Sequence, residues 1–127
     1  MSFPFVPDQG LILAPAIVWG PLGRLGISLV LDTGAAGTTI STHLLASLGY
    51  DPAAVSERVQ LTTASGTVFA PRLCIERISA LGRERRDFPV VCHTLPPSAE
   101  LDGVLGLDFL RGHRLVVDFR EGFVSLD

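Results

Sequence analysis

Between Arg24 and Asp32 the chain reads RLGISLVLD, with Leu25, Ile27, Leu29 and Leu31 alternating with Arg24, Gly26, Ser28, Val30 and Asp32. A period of two belongs to a β-strand, whose successive side chains point to opposite faces. The run ends in Asp32-Thr33-Gly34-Ala35-Ala36-Gly37. An ionisable side chain therefore stands where an apolar strand gives way to a loop of small residues.

Similar short runs recur, divided by turn residues. Leu11 to Trp19 is an apolar stretch broken by Pro15, which suits an edge or a bulge better than a central strand. The sequence GPLG at Gly20 to Gly23 then predicts a turn. Val59 to Thr63 and Thr67 to Arg72 flank Ala64-Ser65-Gly66 and predict a hairpin. Leu73 to Leu81 continues the strand pattern, Gly82 to Arg86 reads as a polar turn, and Phe88, Val90 and Cys92 alternate along a further strand. Leu115 to Phe119 and Phe123 to Leu126 predict a second hairpin around Arg120-Glu121-Gly122. Two brief helices are expected: one capped by Ser41 or Thr42, running through Leu48 and released by Gly49, the other at Asp108 to Arg111 before Gly112. Pro96 and Pro97 break regular structure between the last two strand-rich regions.

With 127 residues there is room for one modest core, and residues 1–127 read as a single domain with a core over about 17–126. The 47% hydrophobic and 18% charged residues, with 13 glycines and nine prolines, disfavour both disorder and a helical bundle. Ten basic residues, all arginine, against 13 acidic ones leave a net charge of −3, which offers nucleic acid or an anionic membrane no overall attraction. No segment approaches the roughly 18 consecutive apolar residues of a membrane span. Nor does MSFPFVPDQG have the form of a secretory leader, so a soluble, cytoplasmic protein is expected. Cys74 and Cys92 lack a metal-ligand spacing and read as buried thiols in preference to a disulfide.

The chemistry follows from Asp32. Hydrolysis of a peptide by acid-base catalysis between carboxyl groups needs two of them in proximity, one charged to activate water and one protonated to polarise the carbonyl. The chain holds only one Asp-Thr-Gly. A two-fold homodimer would supply the second, placing one Asp32 from each chain at the axis. Two carboxylates so placed repel and share a proton.

The segment SLVLDTGAAGTTIS from Ser28 to Ser41, with DGVLGLDFLRG from Asp102 to Gly112, closely resembles the retropepsin-like aspartic proteases over roughly Ile17 to Leu126. That resemblance implies an all-β fold: a closed acid-protease barrel with a flap hairpin and one or two short helices, assembled as a homodimer around a peptide or protein substrate. In family terms Asp32 activates water, Thr33 braces the two loops, Gly34 permits their close approach and Ala35 is the small residue that follows. Val104-Leu105-Gly106 resembles the segment packed beneath the catalytic loop, and a purely packing role is assigned to it. Ala64, Ser65 and Gly66 fall where the family carries its flap tip, with less glycine than family flaps hold. Asp102 and Asp108 are read as turn or capping carboxylates, outside the catalytic pair. The long C-terminal ending resembles cellular and bacterial members, and its strands either join the dimer interface or cover an internal edge.

Other chemistries find little support. His43, His93 and His113 are widely spaced and form no metal-ligand series, neither cysteine has an activating pattern, and no phosphate-binding loop is present, so no cofactor or metal is expected. Arg83, Arg85 and Arg86 are interrupted by Glu84 and flanked by Asp87, and read as a solvated turn. The competing function is a catalytically inactive dimerisation or peptide-binding module that keeps the protease shape.

Overall fold

The computed structural model describes residues 1–63, 65–94 and 101–127. In chain order the elements are β1 (Ser2–Pro4), β2 (Leu13–Gly20), β3 (Gly23–Leu31), β4 (Thr39–Ile40), α1 (Thr42–Ser47), a 3-10 turn at Pro52–Ala54, β5 (Arg58–Thr63), β6 (Gly66–Ala80), β7 (Arg83–Cys92), β8 (Gly103–Leu105), α2 (Leu107–Leu110), β9 (Leu115–Asp118) and β10 (Phe123–Leu126). Strands β2, β3, β8, β4, β7 and β6 are neighbours in that order, and β6 returns to β2. They close a six-stranded barrel, the fold class that the resemblance implied. Closure leaves no open edge within the ring itself where strands pair fully.

The alternating run behaves as its period requires. In β3, Ile27 and Leu29 point into the core, and β2 sends Ala14, Ala16 and Val18 to meet them. Pro15 lies where β2 has β3 alone as its neighbour, since pairing with β6 begins at Ala16. The interior is filled by Leu29, Ile75, Ile78 and Leu105, with Leu45 of α1 and Phe109 of α2 closing over it. Burying a side chain of this size contributes about 1.5–3 kcal/mol. Phe88 meets Phe109 edge to face at 5.9 Å.

Several expectations are corrected. The turn between β6 and β7 is Leu81-Gly82 alone, both with positive φ (52° and 74°), so Arg83 to Arg86 lie in a strand and not in a polar turn. A two-residue left-handed turn matches the twist of the flanking strands, which lets pairing begin at Ala80↔Arg83. The arginines have specific partners there. Arg85 donates to the carbonyls of Phe109 and Arg111 at the end of α2, Arg83 donates to Leu126 O, and Arg77 and Arg86 flank Glu84. Cys92 is buried, but Cys74 is exposed, because it alternates on β6 with the inward Ile75; both are free thiols. Ser41 occupies the N-cap position of α1, yet its hydroxyl makes no capping bond, and its backbone carbonyl alone accepts from Leu44 and Leu45 N. Helix α2 spans Leu107–Leu110, where the family resemblance puts it and one residue earlier than the Asp108 to Arg111 pattern. Strand β1, which the sequence does not announce, pairs with β10, and β9 covers the other side of β10. In this chain the terminal strands thus form their own three-stranded sheet.

Among the described residues, no helix is long and apolar enough to cross a membrane.

Candidate active site

Strand β8 lies between β3 and β4, parallel to the first and antiparallel to the second. The loop joining β3 to β4, residues 32–38, must therefore pass over the end of β8. The crossing is tight on the β8 side. A side chain on Gly106 would put a Cβ 2.5 Å from the Gly37 carbonyl oxygen and 2.8 Å from that of Ala35. This is the physical reason for glycine in Val104-Leu105-Gly106. Val104 and Leu105 pair with Val30 and Leu31, directly before Asp32.

Asp32 is pinned at its backbone and open at its side chain. Its N–H donates to Leu105 O at 3.1 Å, and its carbonyl accepts from Ala35 N at 3.2 Å. Oδ1 accepts from Gly34 N at 2.8 Å, which aims the carboxyl group into its own loop. Asp32, Thr33 and Gly34 are all exposed in the single chain, and Ala35 is half-buried. The loop is fastened from beneath by Leu107 N to Ala35 O at 2.8 Å and Asp108 N to Ala36 O at 3.2 Å.

A further pair of residues fixes the far end of the loop, and the sequence reading did not find their partnership. Thr38 is fully buried. Its hydroxyl donates to Asp108 Oδ1 at 2.7 Å and accepts from Gly106 N at 3.1 Å, while its N–H donates to Asp108 Oδ2 at 3.1 Å. Asp108 Oδ1 also accepts from Phe109 N, inside the first turn of α2. The signal available was a threonine closing the small-residue loop and an aspartate two positions after Gly106. Asp102 does similar work on the other side, with Oδ2 accepting from Ser28 N at 2.8 Å and its carbonyl accepting from Ser41 N at 2.9 Å. Both aspartates thus tie distant segments together, 74 and 70 residues apart, where a local turn or capping role was expected; only the Phe109 N bond of Asp108 is local.

The predicted hairpin is formed by β5 and β6, paired from Arg58↔Pro71 to Thr63↔Gly66. Gly66 adopts φ +123°, in open space. Ala64 lies outside the described residues; Ser65 and Gly66 stand exposed at the tip. Opposed residues share a face, so Val59, Ala70, Leu61 and Val68 form one side and Arg58, Pro71, Gln60, Phe69, Thr62 and Thr67 the other. Ala70 is buried at the root, whereas Phe69 is 69% exposed.

Below the hairpin, β6 is tied to β2 through Tyr50. Its hydroxyl donates to Trp19 O at 2.6 Å and accepts from Glu76 N at 2.8 Å, continuing the β2–β6 seam beyond its last pair, Trp19↔Arg77. Burial raises the Tyr50 pKa. His43 is exposed on α1, and His93 and His113 are half-buried on separate elements. Among the described residues no group of three His, Cys, Asp or Glu side chains is placed to hold a metal ion.

A barrel with an Asp-Thr-Gly loop crossing over an inserted strand has counterparts among known proteins. Residues 20–109 match the family model described as aspartyl protease. The chain belongs to that family. Its fold is similar to that of a retropepsin-like aspartic protease from Rickettsia conorii, with a TM-score of 0.72 at 20% identity, covering 99% of this chain and 88% of that one. It is also similar to the retroviral protease-like domain of Ddi1 from Leishmania major, with a TM-score of 0.54 at 15% identity, covering 94% of this chain and 96% of that one. None of the curated proteins matches the sequence.

Proposed function

We propose that the protein is an aspartic endopeptidase that hydrolyses peptide bonds as a homodimer, with one Asp32 from each chain forming the catalytic pair. The observation that carries this reading is the state of Asp32. Its backbone is held by β8, its loop by α2, and its carboxyl group is exposed with a single Asp-Thr-Gly available per chain. A second copy across a two-fold axis supplies the missing carboxyl group. Of the pair, one ionised group takes a proton from the attacking water, and its protonated mate donates a hydrogen bond to the substrate carbonyl. Thr33 and Gly34 bring the two loops together, and Ala35 leaves room for them. Val104, Leu105 and Gly106 set the height of the floor.

In the same proposal the β5–β6 hairpin is the flap, with Ala64, Ser65 and Gly66 at its tip. The substrate is an extended peptide bound through backbone hydrogen bonds, with its side chains selected by apolar walls. Cleavage of a diverse peptide library at mildly acidic and neutral pH tests the mechanism against Asp32→Asn, with both proteins shown to be folded. The substitution should lower cleavage by at least about 10²-fold, the scale of a lost acid-base group. Equal cleavage by both proteins rejects Asp32 as the catalytic group. Tight peptide binding without turnover by either protein supports the inactive peptide-binding module instead.

A further inference from the structure

Helix α2 is a single turn, Leu107–Leu110, too short to hold its own place, so its position is set by what it touches. Toward the Asp32 loop it is the carrier. Leu107 N and Asp108 N donate to Ala35 O and Ala36 O, and the Asp108 carboxylate accepts from Thr38. From behind, one side chain takes the carbonyl groups at its far end. Arg85 Nη2 donates to Phe109 O at 2.8 Å and to Arg111 O at 2.6 Å, and the guanidinium lies 5.8 Å from the centre of the Phe109 ring.

Arg85 reaches that place because β7 changes face. Phe88, Val90 and Cys92 are buried, so strict alternation would turn Glu84 and Arg86 inward and Arg85 toward solvent. Instead Glu84 and Arg86 are exposed, Arg85 is half-buried, and its neighbour across the ladder, Ile78, is fully buried. The switch falls at Asp87, whose φ of 48° lies in the left-handed region that residues other than glycine seldom enter. β6 switches at the same level: Ile75 and Ile78 are both buried, and between them Glu76 N donates to the Tyr50 hydroxyl. The inward turn has a cost. Arg85 Nε is buried and, among the described residues, has no hydrogen-bond partner. An apolar side chain of similar length over Phe109 would carry no such penalty. Backbone strain and an unpaired polar atom at one position point to a role other than stability.

We infer that Arg85 is a positioning residue for the Asp32 loop. By holding the end of α2 it sets the height at which Leu107, Asp108 and Thr38 carry residues 35–38, and through them the place of the Asp32 carboxyl group. The inference rests on the catalytic role proposed above for Asp32, and Arg85 serves that role through α2.

The test separates placement from stability. Arg85→Met keeps a long side chain over Phe109 and removes the donors. It should stay folded with little change in melting temperature, while kcat falls by about 10²-fold, the scale of a misplacement of about 1 Å, and KM stays close to the parent's. Arg85→Lys, which restores a donor without the planar fork, should recover part of kcat. Amide exchange at Leu107 and Asp108 should quicken in Arg85→Met, a readout that needs no substrate. Should Arg85→Met fail to fold, Arg85→Lys decides by the same split between kcat and KM. A kcat equal to the parent's, or a loss that only tracks the loss of folded protein, overturns the inference and leaves the Asp32 mechanism standing. A parent chain whose cleavage does not depend on Asp32 overturns that mechanism, and the role of Arg85 with it.

Discussion

The loop at residues 32–38 and the β5–β6 hairpin are both short, glycine-containing connections, yet they are held in opposite ways. The loop is fixed from several sides, by Leu105 O, by the α2 amides, and by the buried Thr38–Asp108 contact. The hairpin has one neighbour for each strand along its paired length, and Phe69 stands in solvent. In the proposed mechanism the carboxyl group of Asp32 must be placed to within a fraction of an ångström, whereas a hairpin acting as a flap must be able to open. The difference teaches that the rigidity of the fold is concentrated under Asp32 and withheld from the hairpin.

The two glycines that mark these regions give the sharpest way to break that comparison. Gly106→Ala drives a Cβ into the backbone of Gly37 and Ala35. It should cost about 3 kcal/mol or more in urea unfolding. Gly66→Ala meets open space and only an unfavourable φ, so about 1 kcal/mol is expected. Equal losses at the two sites would contradict the contrast. Next in size is Asp108→Asn. Both carboxylate oxygens accept from donors, and an amide must turn its NH2 toward one of them; a loss of about 1–3 kcal/mol follows. A double-mutant cycle with Thr38→Val should show strong coupling.

The cysteines extend the test to pH. Burial pushes the Cys92 thiol from 9.0 up to about 11, with Arg58 pulling slightly the other way. A raised pKa in the folded state means that the neutral thiol stabilises the fold fully below about pH 9, and that this contribution is lost as pH rises toward 11. Cys92→Ala should lack that alkaline decline in thermal melts. In thiol labelling Cys74 should react first and Cys92 only on unfolding. Smallest of all, Phe69→Ser on the hairpin should change stability by no more than about 0.5 kcal/mol.

Much of the barrel was legible because alternation survives wherever one face is buried, as in β3 and β2. The hairpin could be read from Gly66, whose φ of +123° suits glycine, and the Asp-Thr-Gly loop from the carboxyl group that ends the alternating strand. Boundaries set by tertiary contact could not be read. Arg83 to Arg86 look like a polar turn, and only Phe109, Arg111, Leu126 and Glu84 reveal why arginines lie in a strand there. Strand β1 is three residues long and exists through its pairing with β10, from the opposite end of the chain. Thr38 and Asp108 are separated by 70 residues, and neither signals the other locally.

The insertion of β8 between β3 and β4 also orders events in time. Ser28 and Asp102, joined at the start of that insertion, are 74 residues apart in the chain. Contacts this distant carry a large loop-closure cost and form late and slowly. A chain emerging from the ribosome exposes Asp32 long before residues 103–105 exist to support it. The nascent protein thus holds its carboxylate with no floor beneath it until residues 103–105 take their place between β3 and β4.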